Sequence, residues 1–191
     1  HLDYIRYPDA ATCYCTGCKA RFEKSIGHSV AGWPGAVDKD AGLHKQWMDL
    51  RRAQITAVVR AISETARKTS PNTEVSAAVY MNWPQHRESI AQDWRVWCEN
   101  GYLDFVCPMD YTPYHAQFES LVQQQMTWRG KAALYPGIGL STWPNGPDII
   151  KLMDQIGVTR RLNTGGFILF NYRAEEARTI LPRLGMGTTR K

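Results

Sequence analysis

The chain alternates short apolar segments with longer amphipathic ones, and this alternation constrains its fold more than any other feature. A βαβ unit takes about thirty residues, and strand-like segments recur at roughly that interval from Glu74 onward. Strands in such a series form a parallel sheet with helices packed against it. The predicted strands are Leu2–Tyr7, Glu74–Met81, Tyr102–Met109, Lys131–Pro136 and Gly165–Phe170.

Segments with apolar residues at helical spacing follow the predicted strands. The longest is Leu43–Lys68, in which Trp47 belongs to a buried stripe and Arg51 and Arg52 are interpreted as part of a solvated face. A turn is predicted at Gly137–Gly139, because a Gly-x-Gly sequence more often turns the chain than binds a ligand. The other predicted helices are Ser89–Gly101, His115–Gly130, a helix beginning near Pro147, and Ala174–Leu184.

Five strand–helix units predict an α/β fold, specifically the last five βα units of a (β/α)8 TIM barrel in a single domain over residues 1–191. Polar and aromatic residues follow the strands, where a barrel collects its active site, and no glycine-rich phosphate loop opens a helix. An independent open, doubly wound sheet is the alternative. A partial barrel would leave strand edges unpaired, so the chain alone is expected to associate or to be inactive.

Composition narrows the class of protein. With 191 residues, 43% hydrophobic and 21% charged, the chain has the make-up of an ordinary globular domain. No segment approaches the roughly 20 apolar residues of a membrane-spanning helix, so no span is predicted. The net charge of +5 is spread among helices and interleaved with acids, which argues against a nucleic-acid partner.

Two aspartates at the ends of predicted strands are the candidate catalytic residues. Asp3 and Asp110 each follow or end an apolar segment, and glycoside cleavage uses two carboxyl groups on either side of the scissile bond. We predict Asp3 as the acid/base and Asp110 as the second carboxylate. The alternatives are that Asp3 forms a structural ion pair with Arg6 and that Asp110 caps the following helix.

Aromatic and polar residues are dense at the same strand ends. Sugar rings stack their C–H faces on aromatic side chains, while their hydroxyls seek polar partners. These features predict a cleft for a polysaccharide or oligosaccharide, and buried core aromatics are the alternative, to which Trp47, Trp94 and Trp97 are assigned. The predicted substrate-binding residues are Arg6, Tyr7, Tyr80, Asn82, Trp83, Tyr111, Trp143, Asn171 and Tyr172.

A cluster of three cysteines follows the first predicted strand. Cys13, Cys15 and Cys18 have a Cys-x-Cys-x-x-Cys spacing that can bring three thiolates to one tetrahedral zinc ion. This predicts a structural zinc site and no cofactor for catalysis; a loop without metal, either reduced or disulfide-linked, is the alternative. The fourth ligand is expected either from another part of the protein or from Cys98, Cys107 or His28.

Several of these segments together resemble the C-terminal half of a family 10-like glycosyl hydrolase domain, a (β/α)8 glycosidase. The resembling segments are Leu2–Pro8, Gly101–Tyr111, the long helix with Trp47, and Tyr135–Gly139. Their more specific parts are Asp3–Pro8 and Pro108–Tyr111. It implies hydrolysis of glycosidic bonds in a polysaccharide, and favours a secreted or periplasmic location.

The cysteine segment is similar to a second group, the family 42 β-galactosidases. That similarity implies zinc bound by Cys13, Cys15, Cys18 and a cysteine from an earlier segment, with Asp3 near the acid/base position. The Asn-Glu pair of that family is absent, and no Glu at a strand end follows Tyr135, so its retaining mechanism is not implied. The segment Pro108–Tyr111 also resembles the sixth strand of chitinase-like barrels. The catalytic Glu of those barrels would fall at the position of Arg6, so their substrate-assisted mechanism is not implied.

The sequence therefore predicts a glycoside hydrolase that uses paired carboxylates. A non-catalytic carbohydrate-binding module and a metal-dependent hydrolase using the cysteine site are the two alternatives.

Overall fold

The computed structural model describes residues 1–144 and 146–186, which form a mixed α/β fold. Three helices come first: α1 (Thr16–Ile26), α2 (Gly35–Lys39) and α3 (Ala41–Thr69). Strands and helices then alternate along the rest of the chain. They are β1 (Ser76–Val79), α4 (Trp83–Ser89), α5 (Trp94–Glu99), β2 (Phe105–Pro108), α6 (His115–Trp128), β3 (Ala133–Leu134), β4 (Gly137–Gly139), α7 (Ile149–Arg161), β5 (Ile168–Phe170), α8 (Ala174–Thr179) and α9 (Leu181–Gly185).

All described strand pairs are parallel, and their spatial order follows their order in the chain. β2 lies between β1 and β3, and β4 pairs with β5. β3 and β4 are two parts of one extended stretch, because Tyr135 N donates to Val106 O of β2 while Ile168 N of β5 donates to Pro136 O. Leu2 adds a parallel bridge to Ala77 on the other side of β1. The described strands form two small sheets, not a closed barrel.

The predictions of α/β architecture and of the long helix are confirmed, and β1, β2, β3 and β5 lie within four of the predicted strands. The first predicted strand, Leu2–Tyr7, is reduced to the bridge at Leu2. Tyr4 has a φ of 54°, in the left-handed region, which ends regular extended structure there. The turn predicted at Gly137–Gly139 is wrong, since these residues form β4.

Two predicted helices are each divided in the structure. The segment Ser89–Gly101 contains the end of α4 and the separate helix α5, and Ala91 between them has a φ of 59°, which no helix accommodates. The final segment is split into α8 and α9, with Pro182 in the first turn of α9. Proline lacks the N–H that a continuous helix would need at that point.

Side chains alternate across the sheet, as the two-residue period of a strand requires. One face packs against the helices and forms the main core, and the opposite face lines a cavity. In the core, Trp94, Trp97 and Phe118 are fully buried, as predicted for the first two. The sheet residues buried beside them are Ala77, Val79, Val106, Leu134 and Ile138.

A second, smaller core joins α1 and α2 to α3. The rings of Tyr14, Phe22 and Trp33 each lie 5.2–5.4 Å from the ring of Trp47, and Trp33 Nε1 donates to Tyr14 O at 2.9 Å. Edge and offset contacts of this kind add to the stabilisation that burial provides. The prediction that Trp47 is a core residue is confirmed, and the loop after Asp3 therefore leads into a separately packed region.

None of the described helices is both long and apolar enough to cross a membrane.

Candidate functional site

A cavity of about 540 Å³ lies on the sheet face opposite the main core. Its volume falls within the range of small-molecule binding sites. The strands contribute every second residue to its wall, because alternate side chains share a face. The lining residues are His1, Asp3, Tyr4, Arg6, Ser76, Ala78, Tyr80, Gln92, Phe105, Cys107, Met109, Tyr111, Gly137, Ile168 and Phe170.

Aromatic rings form much of this wall. Tyr111 stacks on Phe170 with ring centroids 4.9 Å apart and an interplanar angle of 19°. Phe170 is still 41% exposed and Tyr4 is 76% exposed, so both present apolar surface to a ligand. Flat apolar surfaces beside a few polar groups are suited to pyranose rings.

The backbone of β4 lies directly against Tyr111. A Cβ on Gly137 would stand 2.8 Å from Pro108 O and 3.0 Å from Tyr111 Cε1. The first distance is shorter than a Cβ atom tolerates, and the second would require the Tyr111 ring to shift. Gly137, which the sequence places in a predicted turn, therefore allows the Tyr111 ring to occupy its position in the cavity wall.

We expect Gly137→Ala to destabilise the protein by about 1–3 kcal/mol, the usual cost of inserting a methylene into a packed site. Urea unfolding would measure this change. The matched control is Gly35→Ala, because a Cβ at Gly35 would meet nothing within 4 Å. Equal stabilities of the two variants would contradict the close packing of Tyr111 on β4.

Asp3 is an exposed carboxylate in this cavity. Its Oδ1 accepts a hydrogen bond from Tyr4 N at 2.8 Å. The left-handed backbone of Tyr4 is a conformation that residues other than glycine rarely adopt, and such strain is concentrated at functional sites. The alternative of an Asp3–Arg6 ion pair is wrong, since no such pair occurs among the described residues.

Arg6 brings a positive charge into the same cavity. Its guanidinium lies 5.3 Å from the ring centres of both Tyr4 and Tyr80, where cation–π attraction stabilises it. Nη1 donates to Tyr7 O at 3.0 Å and to Pro8 O at 3.2 Å. These contacts hold Arg6 without a carboxylate partner and leave part of the guanidinium available to a ligand.

Asp110 lies behind the cavity wall. It is 0% exposed, and its Oδ1 accepts a hydrogen bond from Gln125 Nε2 of α6 at 2.6 Å. Gln125 Nε2 also donates to Met81 O at 3.1 Å. Burial raises the pKa of Asp110 well above its usual range, only partly offset by the bond from Gln125. Asp110 is not among the residues that line the cavity, so the cavity does not bring Asp3 and Asp110 together.

Tyr111, the next residue, faces the cavity instead. Burial raises the pKa of its hydroxyl to about 12, and the charge of Asp3 adds to the effect. Tyr111 is therefore protonated at neutral pH, and its O–H can donate a hydrogen bond to a ligand. Arg6 and Tyr80, also predicted as substrate-binding residues, line the cavity with it.

The remaining predicted substrate-binding residues are not among those that line the cavity. Trp83 Nε1 donates to Asp93 at 2.7 Å, and Asn82 caps α4 by accepting from Gln85 N. Trp143 is 5% exposed and belongs to the main core, as the alternative of core aromatics predicts.

Tyr7 and the residues after β5 also point elsewhere. Tyr7 OH donates to Gln54 Oε1 on α3 at 3.0 Å. Asn171 has a buried Oδ1 with no hydrogen-bond partner, and Tyr172 is largely exposed. Phe170, which the sequence reasoning missed, is the aromatic residue of this segment that lines the cavity. The available signal was its spacing from Ile168, because residues two apart on a strand face the same side of the sheet.

The three clustered cysteines form a separate site. The Sγ atoms of Cys13, Cys15 and Cys18 all lie within 4.8 Å of one another. Hydrogen bonds from the backbone at Cys18 lower the pKa of Cys15 to about 7, whereas burial raises the pKa of Cys18. Arg21 Nη2 donates to Cys18 Sγ at 3.3 Å. With Zn–S bonds of about 2.3 Å, sulfurs this close fit one tetrahedral ion.

None of the expected fourth ligands is part of this cluster among the described residues. Cys98 is buried in the main core and Cys107 lines the cavity, and burial raises the pKa of both thiols to about 12. His28 Nδ1 instead lies 3.2 Å from Ser29 O. None of the three clustered cysteines lines the cavity.

Comparisons with known proteins identify a related fold and a family. Among solved structures, the chain is similar to the structure of the PgaB (BpsB) glycoside hydrolase domain from Bordetella bronchiseptica, with a TM-score of 0.75 and 14% sequence identity. The match covers 94% of this chain and 53% of that one, so the chain spans about half the length of its structural neighbour. No curated protein matches the chain. Residues 7–142 match the family described as glycosyl hydrolase-like 10, and the chain therefore belongs to that family, as the resemblance predicted.

Proposed function

We propose that the chain forms the substrate-binding and acid/base part of a glycoside hydrolase that cleaves O-glycosidic bonds in a polysaccharide. The observation that carries this proposal is the cavity itself, in which Asp3 and Arg6 lie beside the aromatic residues Tyr80, Tyr111 and Phe170. Membership of a glycosyl hydrolase-like family supports the same class of substrate.

The proposed architecture is a single domain made of part of a (β/α)8 barrel. In a barrel, parallel strands that are consecutive in sequence are also neighbours in space, as the bridge at Leu2 and the pairs from β1 to β5 are. A doubly wound sheet would reverse its strand order at a switch point. The glycoside hydrolase neighbour, of which the match covers 53%, is long enough to include the remaining strands.

Asp3 is the proposed general acid/base. A carboxyl group at the cavity wall can protonate the leaving oxygen or take a proton from the attacking water. Arg6, which has no carboxylate partner among the described residues, can hydrogen-bond sugar hydroxyls. Tyr111 and Phe170 would hold the sugar ring over these groups.

Paired-carboxylate chemistry needs a second acid, and Asp3 is the only acidic residue among the described residues of the cavity wall. Asp110 could serve only if its side chain turned away from Gln125 into the cavity. We therefore propose that the second carboxylate comes from another part of a complete barrel. The distance between this carboxylate and Asp3 would decide whether the anomeric configuration of the sugar is retained or inverted.

A non-catalytic carbohydrate-binding function is the second candidate, and the presence of one carboxylate among the described residues of the cavity wall favours it. The two functions are separated by incubating the protein with neutral, acidic and amino-sugar polysaccharides and measuring both bound carbohydrate and newly formed reducing ends. Reducing ends that increase with time support the hydrolase, whereas binding without their release supports the binding module.

We also propose that Cys13, Cys15 and Cys18 hold a structural zinc ion. Three thiolates match the preference of zinc for sulfur ligands, and the ion would cross-link the loop that enters the smaller core. The fourth position would be filled by water or by a ligand outside the described residues. A catalytic metal is not proposed, because none of these cysteines lines the cavity.

We expect the purified protein to carry about one zinc ion per chain and Cys18→Ser to carry none, because zinc sites in proteins usually have three or four protein ligands and this variant leaves two cysteines. Inductively coupled plasma mass spectrometry measures the content directly. Cys98→Ser and Cys107→Ser are the controls, since neither residue belongs to the cluster, and both variants should retain the metal. Zinc loss in either control would identify a fourth ligand that the structure does not place there.

A further inference from the structure

Arg51 of α3 is a buried cation without an acidic partner. It is 0% exposed, and no carboxylate lies within ion-pair distance of it among the described residues. Its Nη atoms instead donate to the carbonyl oxygens of Asp9, Ala10 and Thr12, at 2.6, 3.1 and 2.7 Å. The expectation that Arg51 and Arg52 belong to a solvated face is therefore wrong, since Arg52 is buried as well.

Tyr7, just before these three residues in the chain, is also held by side chains of α3. The Arg51 guanidinium lies 4.3 Å from the ring centre of Tyr7, and Tyr7 OH donates to Gln54 on the same helix. Tyr7 N also donates to Ile90 O at 3.0 Å. Two side chains of α3 thus hold the segment from Tyr7 to Thr12, which we call the arm.

The arm connects the two candidate sites. Asp3 and Arg6 of the cavity come just before it in the chain, and Cys13 of the cysteine cluster comes just after it. A planar guanidinium can bond several carbonyls at once in a fixed geometry. The chain between the sites is therefore short and held at several points by one side chain.

We propose that Arg51 is a positioning residue that couples the cysteine cluster to the cavity, so that metal binding by the cysteines orders the arm and the Asp3 segment together. This inference rests on the proposed metal site. By linkage, if metal binding favours the ordered arm, then an interaction that favours the ordered arm also strengthens metal binding. Arg51 strengthens binding because it lowers the free-energy cost of ordering the loop of Cys13 when the metal binds.

The first test measures Cd²⁺ binding, because Cd²⁺ is a thiophilic probe whose charge-transfer absorption reports sulfur ligation. Chelator competition gives the affinity of the full chain, of Arg51→Met and of Arg51→Lys. We expect Arg51→Met to bind Cd²⁺ at least tenfold more weakly, the effect of losing one hydrogen bond from a charged donor. Arg51→Lys keeps the charge but loses the planar group with several N–H donors, so its Cd²⁺ affinity should lie between those of the unmodified chain and Arg51→Met. Arg60→Met removes an exposed arginine from the same helix and should not change the affinity.

The second test measures hydrogen exchange with and without Cd²⁺. In the unmodified chain, Cd²⁺ should slow exchange of the amides of Leu2 and Tyr7, which donate to Ser76 O and Ile90 O, while those of β2 stay unchanged. In Arg51→Met this effect on Leu2 and Tyr7 should disappear. A merely structural role of Arg51 would instead change exchange in all segments whether or not Cd²⁺ is present.

The outcomes separate the proposals. Equal Cd²⁺ affinities of the unmodified chain and Arg51→Met, or unchanged exchange at Leu2 and Tyr7 on Cd²⁺ binding, would overturn the coupling and leave the metal site standing. Failure of the unmodified chain to bind Cd²⁺ would overturn the metal site and the coupling together. The glycosidase proposal depends on neither result. If Arg51→Met does not fold, the exchange experiment on the unmodified chain decides whether metal binding orders the arm, and the same two measurements on Arg51→Lys decide the role of Arg51.

Discussion

Asp3→Asn is expected to lower the rate of glycoside hydrolysis by about 10²–10⁴-fold, the contribution that general acid–base catalysis usually makes. Asparagine keeps the size of the side chain and can still accept a hydrogen bond from Tyr4 N, as Asp3 does, but it cannot exchange a proton with the substrate. Because Asp3 is exposed and has no ion pair, its replacement should not unfold the protein. Initial rates of reducing-end release, measured beside carbohydrate affinity, check this expectation.

The control for this variant is Asp154→Asn. Asp154 is exposed on α7 and is not part of the cavity wall, so its neutralisation should leave both rate and affinity unchanged. A role of Asp3 in binding alone would appear as a lower affinity with an unaltered maximal rate. Full activity of Asp3→Asn would show that the proposed acid/base assignment is wrong.

The sequence predicts the fold well where local periodicity and packing agree. The 29-residue helix α3 has apolar residues at helical spacing, and the structure buries Trp47, Met48 and Val59 from it. β4 could not be predicted in this way, because its two glycines carry no side-chain signal. Its extended form depends on pairing with β5 and on the Tyr111 ring beside it, which are contacts between distant parts of the chain.

The sequence predicted which types of residue form the candidate site, but not which side chains point into the cavity. Asp110 and Tyr111 are adjacent, and adjacent residues near a strand end point to opposite faces. The sequence identified both residues but could not decide which of them faces the cavity. Arg51 illustrates the same limit, since an arginine on an amphipathic helix gives no sign that three carbonyl groups from the arm will surround it.

Asp110→Asn is expected to stabilise the protein, in contrast to the usual effect of changing a buried residue. Oδ2 of Asp110 and Oε1 of Gln125 are both buried without a partner, although Asp110 Oδ1 accepts from Gln125 Nε2. A carboxylate cannot donate to Gln125 Oε1, whereas a protonated carboxyl or an amide can. Asparagine would therefore keep the existing bond and can add a second.

The gain should grow with pH. Burial raises the pKa of Asp110 in the folded protein, while in the unfolded chain an aspartate ionises near its ordinary value of about 3.9. Between these two pKa values the unfolded state binds fewer protons, so rising pH destabilises the unmodified protein by about 1.4 kcal/mol per pH unit. Asparagine at this position has no proton to lose. The difference in unfolding free energy should thus be small near pH 4 and increase as the pH rises toward the folded-state pKa of Asp110.

Urea unfolding of both proteins at several values between pH 4 and pH 7 measures this divergence, with Asp154→Asn expected to follow the unmodified protein. The same variant decides the catalytic assignment of Asp110. If Asp110 is only a buried structural residue behind the cavity wall, the Asp110→Asn variant should be more stable and keep its hydrolytic rate, because Tyr111 retains its position. A large loss of rate together with parallel pH profiles would mean that Asp110 is ionised and reaches the substrate, which would restore the paired-carboxylate mechanism with Asp3.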